Sequence, residues 1–187
     1  MTAAPPPRTA RPLGRDEVRR AVLAAAARRF ATEGTAASLR DIASDAGVNI
    51  GLIHRHIGNK DELLRQVLAA QARAGASLVS EVAEPAAALE WMFGNLAEGG
   101  DYTRIVAWLL LSGQQPDYQQ GYPTVDALRA RLPTGTDTLP LLAALAMLYG
   151  WTVFGDQLLD AFGHGPADRP ELDRRLGRLA AQLAELS

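Results

Sequence analysis

Two histidines and an arginine stand in three consecutive positions, His54, Arg55 and His56, within the segment GVNIGLIHRHIGNKDELL of residues 47–64. Such a cluster is compatible with a metal site, with acid–base catalysis, or with a surface that binds a negatively charged partner. If the segment is helical, the directions of the two His side chains differ by about 200°, so they cannot share a metal ion. The remaining His164 lies in an expected loop, and no nearby Ser or acid has the spacing of a catalytic triad. We therefore predict no catalytic residue, no metal ligand and no cofactor.

The composition narrows the choice further. The chain has 187 residues, which suits one domain or a small module fused to a larger one, and it contains no Cys. The absence of Cys excludes a disulfide framework, a Cys-ligated zinc site and thiol catalysis. Residues 1–60 hold ten basic residues against five acidic ones, net +5, whereas residues 61–187 hold nine against sixteen, net −7. A basic head on an acidic body is typical of a protein that meets a polyanion at one end.

The elements that must position the cluster are helical, since no segment alternates apolar and polar residues as a strand would. Residues 15–32 predict an amphipathic helix that ends at Gly34. Further helices are predicted at about 39–46, at 50–56 and from residue 60 onward. Each begins at a residue whose side chain caps helices: Ser38, Asn49 and Asn59. Short helices joined by a turn that contains Gly form a helix-turn-helix, and the basic charge lies on it.

The segments VLAAAARRFATEG, SLRDIASDAGV and NIGLIHRHIGNKDELL, within residues 22–64, resemble the DNA-binding head of the TetR family of transcriptional regulators. They match its first helix, its second helix and turn, and its recognition helix with the start of the fourth. The resemblance implies an all-α fold with an N-terminal three-helix helix-turn-helix head and a larger helical body for dimerisation and effector binding. We expect a Pro-rich disordered arm over residues 1–14, the head over 15–60 and the body over 61–187.

The sequence departs from the family pattern at four positions. Asn49 replaces the usual Ser or Thr, and Asn caps a helix as well as Ser does. Ile50 stands where a basic or polar residue is common. His54 replaces a Tyr and has a shorter reach toward phosphate, while Ile57 replaces a Phe and concerns the core of the head.

The resemblance also implies which residues bind DNA. Four are expected to face base edges or the nearby backbone: Asn49, Ile50, Gly51 and Arg55. In that position Ile50 suits a thymine methyl group, and Arg55 suits a guanine or a phosphate. Five more are expected to bind phosphates, although His56 can instead pack the head: Ser38, Arg40, His54, His56 and Lys60.

The body is predicted to contain further helices in PAAALEWMFGNLA, DYTRIVAWLLL and TVDALRARL. Residues 139–154 carry no charge, but they fall short of the roughly 20 apolar residues of a membrane span and include Pro and two Gly. We expect this helix to be buried on every side. Leucines of the last helix recur at alternating steps of four and three, which predicts a seam that pairs with a second copy. The expected dimer interface comprises Phe154, Leu172, Leu176, Leu179 and Leu183. The alternative is an ordinary amphipathic helix that packs on its own chain.

Large apolar side chains in the body are candidates for an effector pocket, with plain core as the alternative: Trp91, Met92, Phe93, Trp108, Tyr149 and Trp151. The only basic residues between Arg73 and Arg169 are Arg104, Arg129 and Arg131, so few positive charges are available to an anionic ligand. The sequence therefore favours a largely apolar small molecule as the effector.

These observations predict a cytoplasmic TetR-like regulator that is not an enzyme and does not contact the membrane. Its partners are expected to be double-stranded DNA, bound at an inverted repeat, a second copy of the chain, and a small molecule that releases it as a repressor. One alternative is an all-α interaction or membrane-associated protein whose basic head meets lipid headgroups. Another is a regulator of the same architecture that activates transcription or responds to no ligand.

Overall fold

A computed structural model describes residues 14–82, 84–96, 100–113 and 121–185. Helices make up all of the regular secondary structure in these ranges, which confirms the predicted all-α fold. The chain divides into two compact units, Met1–Val67 and Leu68–Ser187, which we call the head and the body. The predicted arm falls outside the described residues, apart from Gly14 at its end.

The head contains α1 (Arg15–Glu33), a 3₁₀ turn (Gly34–Ala36), α2 (Leu39–Asp45), α3 (Ile50–His56) and the start of α4 (Lys60–Glu81). These bounds confirm the predicted helices to within one or two residues at each end. The core of the head takes one or more apolar side chains from each helix, all at most 1% exposed: Val22, Phe30, Ile42, Ile53 and Leu63.

Local hydrogen bonds set the starts of the helices. The Ser38 hydroxyl accepts a bond from the Asp41 amide at 3.1 Å, and Asn59 Oδ1 accepts one from the Glu62 amide at 2.8 Å. Between α2 and α3 the chain turns at Gly47, whose φ of 66° lies in the left-handed region that Gly adopts most readily. The Val48 amide returns to the Ala43 carbonyl at 2.9 Å, which fixes the turn that leads into α3.

The body contains the rest of α4 together with α5 (Pro85–Gly94), α6 (Asp101–Leu111), α7 (Pro123–Arg129), α8 (Leu139–Ala161) and α9 (Arg169–Ala184). Its core cluster includes Leu89 and Phe93 of α5, Leu128 of α7 and Leu148 of α8. Helices α5 and α9 pack closely at Gly177. A β-carbon at this position would stand only 3.1 Å from the Glu90 carbonyl oxygen.

Helix α8 is buried along one face only, so the prediction that it is buried on every side is wrong for the single chain. Leu141 and Leu148 lie in the core, whereas Leu142 is 65% exposed and Phe154 is 53% exposed. The helix has 23 residues and a mean hydropathy of 1.4 over its most apolar window, so its length and composition alone would allow it to cross a membrane. Core helices of globular bodies share that composition, and one face of α8 packs in the core.

The leucines of α9 do not form one uniform seam. Leu176 and Leu183 pack partly against the core of their own chain, while Leu179 is 52% exposed. The buried face of α9 consists of small residues instead: Gly177, Ala180, Ala181 and Ala184. One side of this helix therefore packs on its own chain and another side is open, while the pairing with a second copy stays a prediction.

A polar clasp joins α8 to the start of α9. The Arg169 guanidinium stacks 4.7 Å from the centre of the Trp151 ring and donates to Asp156 at 2.7 Å and to Asp173 at 2.9 Å. The Trp151 indole also donates to Asp173, at 2.6 Å. Gly155 leaves space for the guanidinium, since a β-carbon there would lie 2.6 Å from an Arg169 nitrogen.

Candidate nucleic-acid interface

One side of α3 is open to solvent and the other holds the helix in the head. Ile50, Gly51, His54 and Arg55 are all exposed, and together they span about 140° of the helix circumference. The opposite side carries Ile53, which is fully buried, and it is continued past the helix end by Ile57, which is 8% exposed. We call the open side, with the capping residue Asn49, the exposed arc. The structure thus brings together the four residues that were expected to face bases.

Asn49 has a double role at the start of the arc. Its side-chain oxygen accepts a hydrogen bond from the Gly51 amide at 2.8 Å, which caps α3. The residue itself is exposed, so its side-chain amide nitrogen remains available as a donor. A β-carbon on Gly51 would come within 3.2 Å of the same oxygen, so the cap favours Gly at this position. The absence of a side chain also leaves the backbone open to close approach by a binding partner.

Two guanidinium groups of the head are suited to bind phosphates or bases. Arg40 on α2 and Arg55 on α3 are exposed, and neither guanidinium forms a hydrogen bond or an ion pair within the described ranges. An unpaired and hydrated guanidinium can engage phosphate or guanine in a bidentate manner without first breaking an internal salt bridge. These two residues therefore have the surroundings that their predicted roles require.

The other predicted phosphate binders are engaged to different degrees. Lys60 is half-buried, and its ammonium donates to the carbonyl of Thr35 in the 3₁₀ turn that follows α1, with further N–H groups remaining. The Ser38 hydroxyl donates to the Asp41 carboxylate at 2.6 Å as well as capping α2. His54 is exposed on the arc, whereas His56 is half-buried on the side that faces the head.

Sequence reasoning missed the role of Arg29. Its guanidinium donates to Asp45 at the end of α2 at 2.6 Å and to Glu33 of its own helix at 2.7 Å, and so braces α1 against α2. The hydrogen bond from Arg29 lowers the pKa of Asp45, and the two carboxylates raise the pKa of Arg29 above its ordinary value. The spacing of four residues between Arg29 and Glu33 is a signal that could have identified one of these pairs, but no sequence signal points to Asp45.

The predicted effector residues occupy different surroundings in the body. Phe93 is fully buried and belongs to the core cluster, and Met92 packs partly against that cluster. Trp91, Trp108 and Tyr149 are 39%, 46% and 39% exposed. Partial burial of its phenol, with a smaller contribution from Tyr102, raises the pKa of Tyr149.

An apolar cleft of about 450 Å³ lies along α8 and α9, and Trp151 alone of the six predicted residues lines it. The other lining residues are Met147, Gly150, Leu158, Leu159, Phe162, His164, Leu172 and Leu176. Two of the predicted interface leucines thus lie in this cleft. Among the described residues there is no group of three or more His, Asp or Glu placed to hold a metal ion.

Comparison with known proteins agrees with this geometry. Residues 22–67 match the sequence profile described as bacterial regulatory proteins, tetR family. The chain is 35% identical over 181 residues to an HTH-type transcriptional repressor of Mycobacterium tuberculosis and to an HTH-type transcriptional regulator of Mycobacterium bovis, with 93% of each chain covered. A crystal structure of a TetR-family regulator from Streptomyces coelicolor has the same fold, with a TM-score of 0.50, 23% identity, and 95% of this chain and 99% of that chain covered. The profile matches the segment that contains α2 and α3, and the relatives extend over nearly the whole length. This chain belongs to the TetR family of helix-turn-helix transcriptional regulators.

Proposed function

We propose that this regulator is a cytoplasmic repressor that binds an inverted-repeat operator as a homodimer and is released by a largely apolar small molecule. The observation that carries the DNA-binding part is the exposed arc of α3, where an unpaired Arg55 stands beside Ile50 and Gly51 on a helix anchored through Ile53. A recognition helix of this kind enters the major groove, and neighbouring cations hold the phosphates.

Selection of bound fragments from random or genomic duplex DNA tests this proposal. We expect an inverted repeat to emerge, because a two-fold protein reads two-fold sites, and we expect affinity to fall steeply as salt rises. Arg40→Ala should weaken binding to all sequences alike. Arg55→Ala should weaken binding to the preferred operator and relax the preference for particular bases. Each lost bidentate contact should cost about 1 to 3 kcal/mol of binding free energy.

A matched control is Arg129→Ala, which removes an exposed arginine from the body at the end of α7. It should leave both affinity and base preference unchanged. The proposal fails if no duplex is selected, if binding does not depend on salt, or if the Arg55 and Arg129 variants behave alike.

The homodimer is supported by apolar surface that the single chain leaves uncovered. Leu142, Phe154 and Leu158 of α8 are 65%, 53% and 40% exposed, and Leu179 of α9 is 52% exposed. The cleft along the two helices adds Phe162, which is 78% exposed. Exposed apolar side chains on two neighbouring helices suit burial against another protein surface, so we assign the exposed sides of α8 and α9 to the contact between two copies.

The effector proposal rests on the small number of bases in the part of the body between Arg73 and Arg169. Arg131, one of the few bases between Arg73 and Arg169, donates to the carbonyls of Ala127 at 2.9 Å and Ser80 at 2.8 Å and is already occupied. Neutral apolar compounds should therefore raise the melting temperature and release DNA, because a ligand that binds only the folded state stabilises it. Stabilising compounds that are all strongly anionic, or that leave the DNA complex intact, would contradict this part.

A further inference from the structure

The hydrogen-bonding groups at the start of α3 are partly consumed by the fold. Asn49 Oδ1 accepts the Gly51 amide at 2.8 Å, so one of the two lone pairs of this oxygen is engaged in the cap of α3. Recognition of adenine by Asn needs both functions, since the oxygen accepts from N6 while the nitrogen donates to N7. Bidentate recognition of adenine by Asn49 would therefore have to use the remaining lone pair while the cap holds the side chain in its orientation.

Ile50 is the first residue of α3, and its apolar side chain remains partly open to solvent. It is 37% exposed, more than any other large apolar side chain among the described residues of the head, 14–67. The neighbouring Gly51 has no side chain to hold the helix away from a partner, and its exposed position leaves the backbone open to close approach. The N-terminal turn of the recognition helix therefore presents an apolar side chain on a surface that can lie close against DNA.

The major groove offers one apolar group to such a side chain, the C5 methyl of thymine. Against the other base edges, Ile50 would cover a donor or an acceptor without pairing it, which costs free energy. We propose that Ile50 recognises a thymine in each operator half-site through its C5 methyl group. This inference rests on the proposed DNA-binding function of the exposed arc, and it assigns to this residue a base specificity that is read by contact rather than by hydrogen bonding.

Replacement of thymine by deoxyuracil removes only the methyl group and keeps the base pair, so it isolates this contact. With the operator obtained by selection, each half-site thymine is replaced singly in a labelled duplex, and dissociation constants are measured by fluorescence anisotropy. We expect one position per half-site at which the change weakens binding about fourfold, which corresponds to ~0.8 kcal/mol for one buried carbon. Thymines elsewhere in the duplex serve as the DNA control.

The same duplexes are then tested with protein variants. Ile50→Ala should bind the thymine and uracil duplexes with equal affinity, and Ile50→Val should show an intermediate ratio. Arg40→Ala is the protein control, because it should weaken all duplexes while leaving the fourfold ratio intact. Because Ile50 is only 37% exposed, thermal unfolding of Ile50→Ala is measured as well, and the variant should remain folded at the temperature of the binding assay.

The outcomes separate this inference from the function on which it rests. A salt-dependent operator complex in which no thymine-to-uracil change matters overturns the role of Ile50 and leaves DNA binding standing. A ratio that persists in Ile50→Ala shows that another group reads the methyl and also overturns it. Failure to select any duplex overturns both proposals.

Discussion

The proposed dimer predicts that Leu179→Asp produces monomers without unfolding the body. Leu179 is 52% exposed in the single chain, so about half of its side chain remains to be buried by a partner. Full burial of a leucine contributes about 1.5 to 3 kcal/mol, which leaves roughly 0.8 to 1.5 kcal/mol for this residue. A two-fold interface contains the residue twice, so its loss should cost about 1.5 to 3 kcal/mol, or about 10- to 150-fold in the dissociation constant. The buried charge of Asp should increase the effect beyond this range.

Sedimentation velocity over a series of protein concentrations measures the effect directly. Leu110→Asp is the matched control, because Leu110 on α6 is similarly exposed, at 58%, and lies outside the proposed interface. Leu183 is less suitable for this test, since it packs partly against the core and its substitution would also destabilise the fold. If Leu179→Asp associated as tightly as the native chain, the assignment of this face to the dimer contact would be wrong.

Two further predictions concern the fold of each unit. Because the pKa of Asp45 is lowered, its bond with Arg29 stabilises the head at pH values above the ordinary carboxyl pKa. This contribution is lost as pH falls through the lowered pKa of Asp45. Asp45→Asn should therefore lower the melting temperature near neutral pH, with a difference from the native protein that shrinks as pH falls below the ordinary carboxyl pKa; a constant difference would count against the bond between Arg29 and Asp45. In the body, Gly177→Val should destabilise by about 1 to 3 kcal/mol in denaturant unfolding, because its side chain meets α5 at close range. Gly94→Ala, which has open space, should be nearly neutral, and equal effects at the two glycines would contradict the close packing of α5 and α9.

The helices of the head could be predicted from the sequence because their ends depend on local interactions. The side chains of Ser38 and Asn49 accept hydrogen bonds from amides two or three residues away, and Gly47 turns the chain between α2 and α3. The bond from Arg29 to Asp45 spans 16 residues and exists only once α1 has packed on α2, so no local pattern indicates it. The sequence therefore predicts the elements of the site better than the contacts that hold them together.

The body was harder to predict because α8 has no polar face. Residues 139–154 contain no charge, so their pattern cannot separate the side that packs in the core from the side that is open. In α9 two apolar stripes compete, one of leucines and one of small residues. The structure shows that the small residues Gly177 and Ala180 are buried against other helices of the same chain, whereas Leu179 remains exposed. Size complementarity with α5 decides this arrangement, and it becomes visible only when both helices are in place.

The bracing of the head limits how a ligand could release the proposed repressor. To move α3 within the head, Ile53 would have to leave a core in which it is fully buried, at a cost comparable to the ~2 to 5 kcal/mol of deleting such a side chain. The bonds from Arg29 to Asp45 and from Lys60 to Thr35 hold the neighbouring helices against the same movement. A ligand can shift an equilibrium only by the difference between its affinities for the two states. The distance between the two heads of a dimer must match successive major grooves, which are about 34 Å apart. A change in this distance leaves the contacts within each head in place. We therefore favour it as the route to release.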